Sequence, residues 1–184
     1  MRLPSNISSK DPDAGELLSW RVYLLPYIEQ QNLFDSFHLD EPWDSPHNKE
    51  LIPLMPPCYE HALLQSSLPE GHTVFQMPTS QPEDHPSTVL VQGQRGSTFG
   101  SISDGTSNTI MLLSVDAQSA VPWTKPADWQ FDPSNPRRNF GNDFSGKTLV
   151  GTCHGTIEFL SKEVSDEAVR ALFTKNGGEA FGQW

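Results

Sequence analysis

The clearest periodicity in the chain starts just after Ser19. Trp20, Tyr23, Leu24, Tyr27, Ile28 and Gln31 recur at helical spacing, a stripe that is apolar up to its last member and predicts a helix. Pro26 lies inside that stripe and removes a backbone donor, so a kink or break is expected there. Short helices are expected over residues 32–37 and 46–51, the second stopped by Pro53, Pro56 and Pro57. The middle of the chain is weakly patterned, with short strand candidates at residues 73–77 and 87–91. Residues 109–115 form a nearly continuous apolar run suited to a buried central strand, and residues 120–142 read as a long loop. Residues 147–153 and 156–160 predict a hairpin turning at His154-Gly155. A final helix is signalled by Ser165 as cap, Asp166 and Glu167 in the first turn and Val169, Leu172 and Phe173 as inner stripe. Lys175 is expected in its last turn, with Asn176-Gly177-Gly178 ending it. The pattern describes one α+β domain over residues 1–184. N-terminal helices (1–56) pack on a mainly antiparallel sheet (57–184) that ends in a strand hairpin and a short helix.

Composition changes this picture in few places. An apolar fraction of 35%, with 16 prolines and 13 glycines, implies much loop, yet ten phenylalanines and five tryptophans supply enough buried area to oppose disorder. A formal charge of −11, from 23 acids against 12 bases, excludes nucleic-acid backbone binding. No apolar run approaches the roughly 20 residues of a spanning helix, and no signal-peptide pattern opens the chain, so this stretch is expected to make no membrane contact of its own. The polar, turn-forming first residues read as a frayed start, or as a cut downstream of something removed. Cys58 and Cys153 fit either a disulfide closing a loop of about 95 residues or two free thiols.

Several short motifs carry candidate chemistry. HLDEPWDSPHN (38–48) offers His38, Asp40, Glu41, Asp44 and His47 to a metal, and a metal-dependent hydrolase using His38, Asp44 and His47 is one reading. Neither zinc nor calcium spacing is present, so no metal and no cofactor is assigned. A capped bend explains more of the residues: Ser45 as N-cap, Pro46 at the first helical position and Trp43 anchoring the turn. SDGTSNT (103–109) resembles a catalytic loop but lacks the second glycine of a nucleophile elbow and enters a strand; Asp104-Gly105 supplies a turn. The glycine-rich stretch 93–100 lacks a phosphate-loop pattern and is expected to be a flexible loop. Asp116, Asp128 and Asp132 are calcium candidates whose default is a solvated, turn-forming acid. Asn6-Ile7-Ser8 matches a glycosylation sequon. Exposed Trp123, Trp129 and Trp184 near acids such as Asp128 and Asp132 would suit stacking on sugar rings.

Longer strings are more specific. LSWRVYLLPYIEQQNLFDSFHLDEPWDSPHNKELI (18–52), SDGTSNTIMLLSV (103–115), AVPWTKPADWQFDPSNP (120–136) and GTIEFLSKEVSDEAVRALFTKNGGE (155–179) together resemble the planctomycete domain of unknown function 1559 family, in order and over most of the chain. The resemblance implies a pilin-type segment and a long hydrophobic helix ahead of an envelope-facing, pseudopilin-like domain, with an anchor helix that this chain lacks. It carries over no catalytic residue. The family's His-x9-Asp-Gly pattern is altered, since His154-Gly155 stands at the Asp-Gly position and Phe144 where the histidine would be. Ser114 stands where the family's strand often reaches a glutamate, while Gly155 keeps the turn. The expected function is a non-enzymatic extracytoplasmic assembly or binding module. Other pilin-like subunits are its expected partners, and a solute- or glycan-binding module is the alternative.

Overall fold

The structure, a computed structural model, describes residues 2–7, 15–143 and 146–178; Ser8, Phe144 and Trp184 lie outside the described residues. Its largest sheet is built around the apolar run. Strand β5 (Ile110–Ser114) lies between β2 (Phe75–Gln76) and β8 (Thr148–Thr152), and β9 (Ile157–Leu160) completes the order β2-β5-β8-β9, antiparallel throughout. The β8–β9 hairpin turns where expected, with Gly155 at φ +94°, a conformation open to glycine at no steric cost. Helix α4 (Asp166–Phe173) covers this sheet, with Val169, Leu172 and Phe173 fully buried. Ser165 caps it by accepting from the Ala168 N–H at 3.2 Å. The helix ends earlier than its sequence signals suggest. Thr174 is extended, and the Lys175 N–H leaves the helix to donate to Ser87 O at 2.9 Å, so Lys175 and the following glycines lie beyond the helix.

The N-terminal third breaks as Pro26 dictates. Helix α1 (Trp20–Tyr23) gives way to a 3-10 turn (Leu25–Ile28), followed by α2 (Gln31–Asp35) and α3 (Pro46–Lys49). The change of winding takes Tyr27 off the inner stripe: it is 82% exposed, whereas Leu25 is fully buried. Residues 2–7 of the starting segment are not frayed. Leu3, Asn6 and Ile7 are buried, and the Leu3 N–H donates to Ser97 O at 2.8 Å.

Two further sheets depart from the sequence pattern. β3 (Pro78–Ser80) lies between β4 (Leu90–Val91) and β7 (Trp129–Gln130) in a small parallel sheet, and β1 (His72–Thr73) pairs with β6 (Val121–Pro122). These strands are two or three residues long, too short for alternation to register, and β6 and β7 fall in the stretch read as loop.

The buried apolar residues fall into two clusters. One joins Leu18, Trp20, Leu25, Phe37, Tyr59 and Trp123 beneath the short helices. The other joins Ile110, Leu113, Val150, Leu160, Leu172 and Phe173 between the sheet and α4.

Candidate functional site

The bend of residues 38–48 is held from inside by a residue its sequence does not advertise. Asn48 is fully buried, accepts from the His38 N–H at 3.0 Å, and its amide donates to the carbonyls of His38, Glu41 and Pro42 at 2.9–3.2 Å. Ser45 caps α3 through the Asn48 N–H at 3.1 Å, and Pro46 occupies the first turn. Trp43 packs against the N-terminal core, with the Lys125 ammonium 5.5 Å from its ring centre. His38 and His47 do face one another, stacked with centroids 3.6 Å apart and planes 5° from parallel. Their polar atoms point elsewhere: His38 Nδ1 pairs with Glu41 Oε1 at 2.9 Å and His47 Nε2 with Ser36 O at 2.8 Å. Stacked rings cannot converge their nitrogens on one ion. Asp44 is exposed, and among the described residues no three His, Cys, Asp or Glu side chains are placed to hold a metal.

The other sequence candidates are tied into the backbone. Asp104 receives the Gly177 and Gly178 N–H groups at 2.7 and 3.0 Å, so the Asp104-Gly105 turn clasps the segment after α4. Trp123 is fully buried, donates to Ile52 O at 2.9 Å and packs against Phe37 and Tyr59. Trp129, 4% exposed, donates to Arg138 O at 2.8 Å within a cage of Phe131, Phe140 and Phe173. Neither tryptophan has a face to offer a sugar. Asp128 is no solvated acid: it is buried and pairs with Arg21 at 3.2 Å. Asp132 caps its own turn through Ser134, at 2.9 Å from its N–H and 2.6 Å from its hydroxyl, and Asp116 caps another through the Ser119 N–H. Cys58 and Cys153 are free thiols; Cys58 is exposed, and burial pushes the Cys153 thiol up to about 12.

Two buried polar networks had no signal in the sequence. Arg21 is wholly buried. It donates to Ser19 Oγ at 2.7 Å, to Phe75 O and to Asp128, which also accepts from Trp20 Nε1 at 3.0 Å and the Met77 N–H at 2.9 Å. Burial pulls the guanidinium's proton affinity down, and Asp128 opposes that pull. In the second network Asp143 accepts from His61 Nε2 at 2.9 Å, from the Leu149 N–H at 2.9 Å and from the Ser114 hydroxyl. Serine, carboxylate and imidazole are present, but the carboxylate stands between the other two. A nucleophilic serine needs the imidazole at its hydroxyl, so this order does not activate Ser114. His61 Nδ1 is buried without a partner.

One groove open on the surface, of about 610 Å³, lies between the starting segment, α1 with its 3-10 turn and the glycine-rich loop. Tyr23, Tyr27 and Phe99 supply aromatic surface, Leu3 and Pro4 the floor, and Arg2 and Arg95 the charge. Its third wall is firmly seated. A Cβ on Gly96 would lie 1.9 Å from Leu3 O, so only glycine admits the starting segment at this distance. Ser97 Oγ donates to Val89 O at 2.6 Å and accepts from Lys175 Nζ at 2.8 Å, which makes the expected flexible loop a docking platform.

A family model described as SBP_bac_10, protein of unknown function (DUF1559), matches residues 1–177. The chain belongs to the DUF1559 family. No curated protein and no solved structure matches it. The strings that carry the DUF1559 resemblance do structural work in this fold. Residues 18–52 supply Arg21 and the Asn48-centred bend, and residues 103–115 supply the Asp104 clasp and β5. No helix among the described residues is long and apolar enough to cross a membrane.

Proposed function

We propose that this DUF1559 member is a non-enzymatic binding module of an extracytoplasmic, pseudopilin-like chain, with the Tyr23–Tyr27–Phe99 groove as its ligand surface. The carrying observation is Tyr27. A tyrosine 82% exposed beside a 610 Å³ apolar concavity is surface that packing does not use. His38, His47 and Asp104, which suggested metal binding or catalysis, support the same reading, because each is already hydrogen-bonded to backbone or to a neighbouring side chain. The test is calorimetric titration with a panel of neutral and acidic envelope saccharides and small solutes. Saturable binding by at least one member, abolished by Tyr27→Ala at unchanged melting temperature, is expected; turnover of any bound member would sink the non-enzymatic half of the proposal.

A second reading, assembly with pilin-like envelope subunits, draws on β9. It is an edge strand, and Ile157 and Phe159 point from it at 63% and 43% exposure. Sedimentation velocity separates the readings: assembly through this edge requires a concentration-dependent species that Ile157→Glu removes.

A further inference from the structure

The groove's charge runs against that of the whole molecule. The chain carries 23 acids and 12 bases, yet among the described residues no Asp or Glu lines the groove, while two arginines do. Arg2 is pinned in place by one bond, from Nη1 to Gly96 O at 3.1 Å, which leaves its other N–H groups unspent. Arg95 makes no hydrogen bond or ion pair with any described residue; the arginines that pair with carboxylates are Arg21, Arg137 and Arg138. In so acidic a protein, an arginine that pairs with no carboxylate of the described residues keeps its fork of donors for something that arrives from outside. The aromatic surface next to it fixes the rest of the ligand. Tyr27 and Phe99 offer ring faces, which pack flat rings, and the groove's volume falls within the roughly 300–1,000 Å³ of small-molecule sites.

We infer that the groove binds a small ring-bearing carboxylate, its ring against Tyr27 and Phe99 and its carboxylate on Arg95 and Arg2. This rests on the reading of the groove as the ligand surface. Two sources offer the same chemistry, a uronic-acid sugar and an aromatic acid. The experiment titrates the protein by calorimetry with trigalacturonate, with benzoate and with neutral galactotriose. At least one of the two acids is expected to bind, with galactotriose about tenfold weaker or worse, and with affinity falling as salt is raised. The tighter of the two acids names the source. Arg95→Ala should weaken the acid about tenfold and Arg95→Lys should recover part of the loss, since the ammonium keeps the charge without the fork. Arg95 and Tyr27 are both exposed, so folding is not at stake in variants at either, and an unchanged melting temperature confirms it. Galactotriose binding as tightly as either acid, or an acid indifferent to Arg95→Ala, overturns the carboxylate assignment while the groove stands. Binding that survives Tyr27→Ala, or no binding by any of the three, overturns the groove as well.

Discussion

The two cores of this protein are closed by different means. Between the sheet and α4, regular backbone mostly satisfies itself and the interior is filled by apolar side chains, Ile110, Leu113, Val150, Leu172 and Phe173, with the Asp143 network confined to the β5–β8 flank. Beneath α1, α2 and α3 no helix exceeds five residues, and much of the backbone there has no ladder to join. Polar side chains take its place. Arg21 binds the Phe75 carbonyl, Asn48 binds three carbonyls of the bend, and Tyr59 donates to Arg21 O at 2.9 Å. Buried backbone must be paired by something, and where secondary structure is short the pairing passes to side chains. The lesson is that the N-terminal core stores its specificity in a few polar atoms, while the C-terminal core spreads it over area.

The largest expected effect tests that contrast directly. Asp128→Ala leaves the Arg21 guanidinium buried without its counter-charge, and strands Trp20 Nε1 and the Met77 N–H. Breaking a buried pair from one side costs about 3–5 kcal/mol. Phe173→Ala, which empties an aromatic volume from the other core, costs about 3–5 kcal/mol as well. Urea unfolding of the two variants should therefore show equal damage from very unequal numbers of deleted atoms. Replacing both partners, Arg21→Met with Asp128→Leu, should cost less than Asp128→Ala alone. An Asp128→Ala penalty below about 1 kcal/mol would erase the distinction between the cores.

A smaller effect is expected at Asn48. Asn48→Ala takes one donor from each of three bend carbonyls and leaves the Glu41 carbonyl and the His38 N–H unsatisfied, for about 1–3 kcal/mol. The matching polar change at the C-terminal core, Ser165→Ala, removes one helix cap and costs about 1 kcal/mol. Thermal unfolding ranks them, and a Ser165→Ala loss that equals or exceeds that of Asn48→Ala would overturn the contrast between the two cores.

The same contrast explains what could be read in the sequence. The sheet and α4 announce themselves through alternation, an apolar run and capping residues, because those elements are made by neighbours in the chain. Asp128 is 107 residues from Arg21, and nothing local distinguishes it from the exposed Asp44. Trp123 and Trp129 lie among prolines and acids in the sequence, and most of the rings that bury them, Phe37 and Tyr59 for one and Phe140 and Phe173 for the other, are distant in the chain. The groove was missed for a related reason. Tyr27 fits a helical stripe only while the helix continues, and the break that Pro26 signalled is what turns it outward. The break was legible, its consequence for the facing of Tyr27 was not.

The smallest expected effects are the pH limbs, and they divide between the regions. In the bend, hydrogen bonds from Ser45 and then from His38 hold the Glu41 carboxyl below its ordinary 4.5. Because the folded chain prefers this group ionised, its contribution is present above that ordinary value and is lost as pH falls through the lower folded value. Lys175, at the junction of the tail with the glycine-rich loop, is shifted the other way: burial lowers its ammonium below the ordinary 10.5. There the folded chain prefers the neutral amine, so stability rises as pH climbs through the lowered folded value toward the ordinary one. Melting temperatures across the pH range should then show Glu41→Gln flattening only the acid limb and Lys175→Met only the alkaline limb. An acid limb untouched by Glu41→Gln would move the acid sensitivity out of the bend and onto other carboxylates. Asp132 is the first to try, since its Ser134 hydrogen bonds hold it below its ordinary 3.8 beside the sheet core.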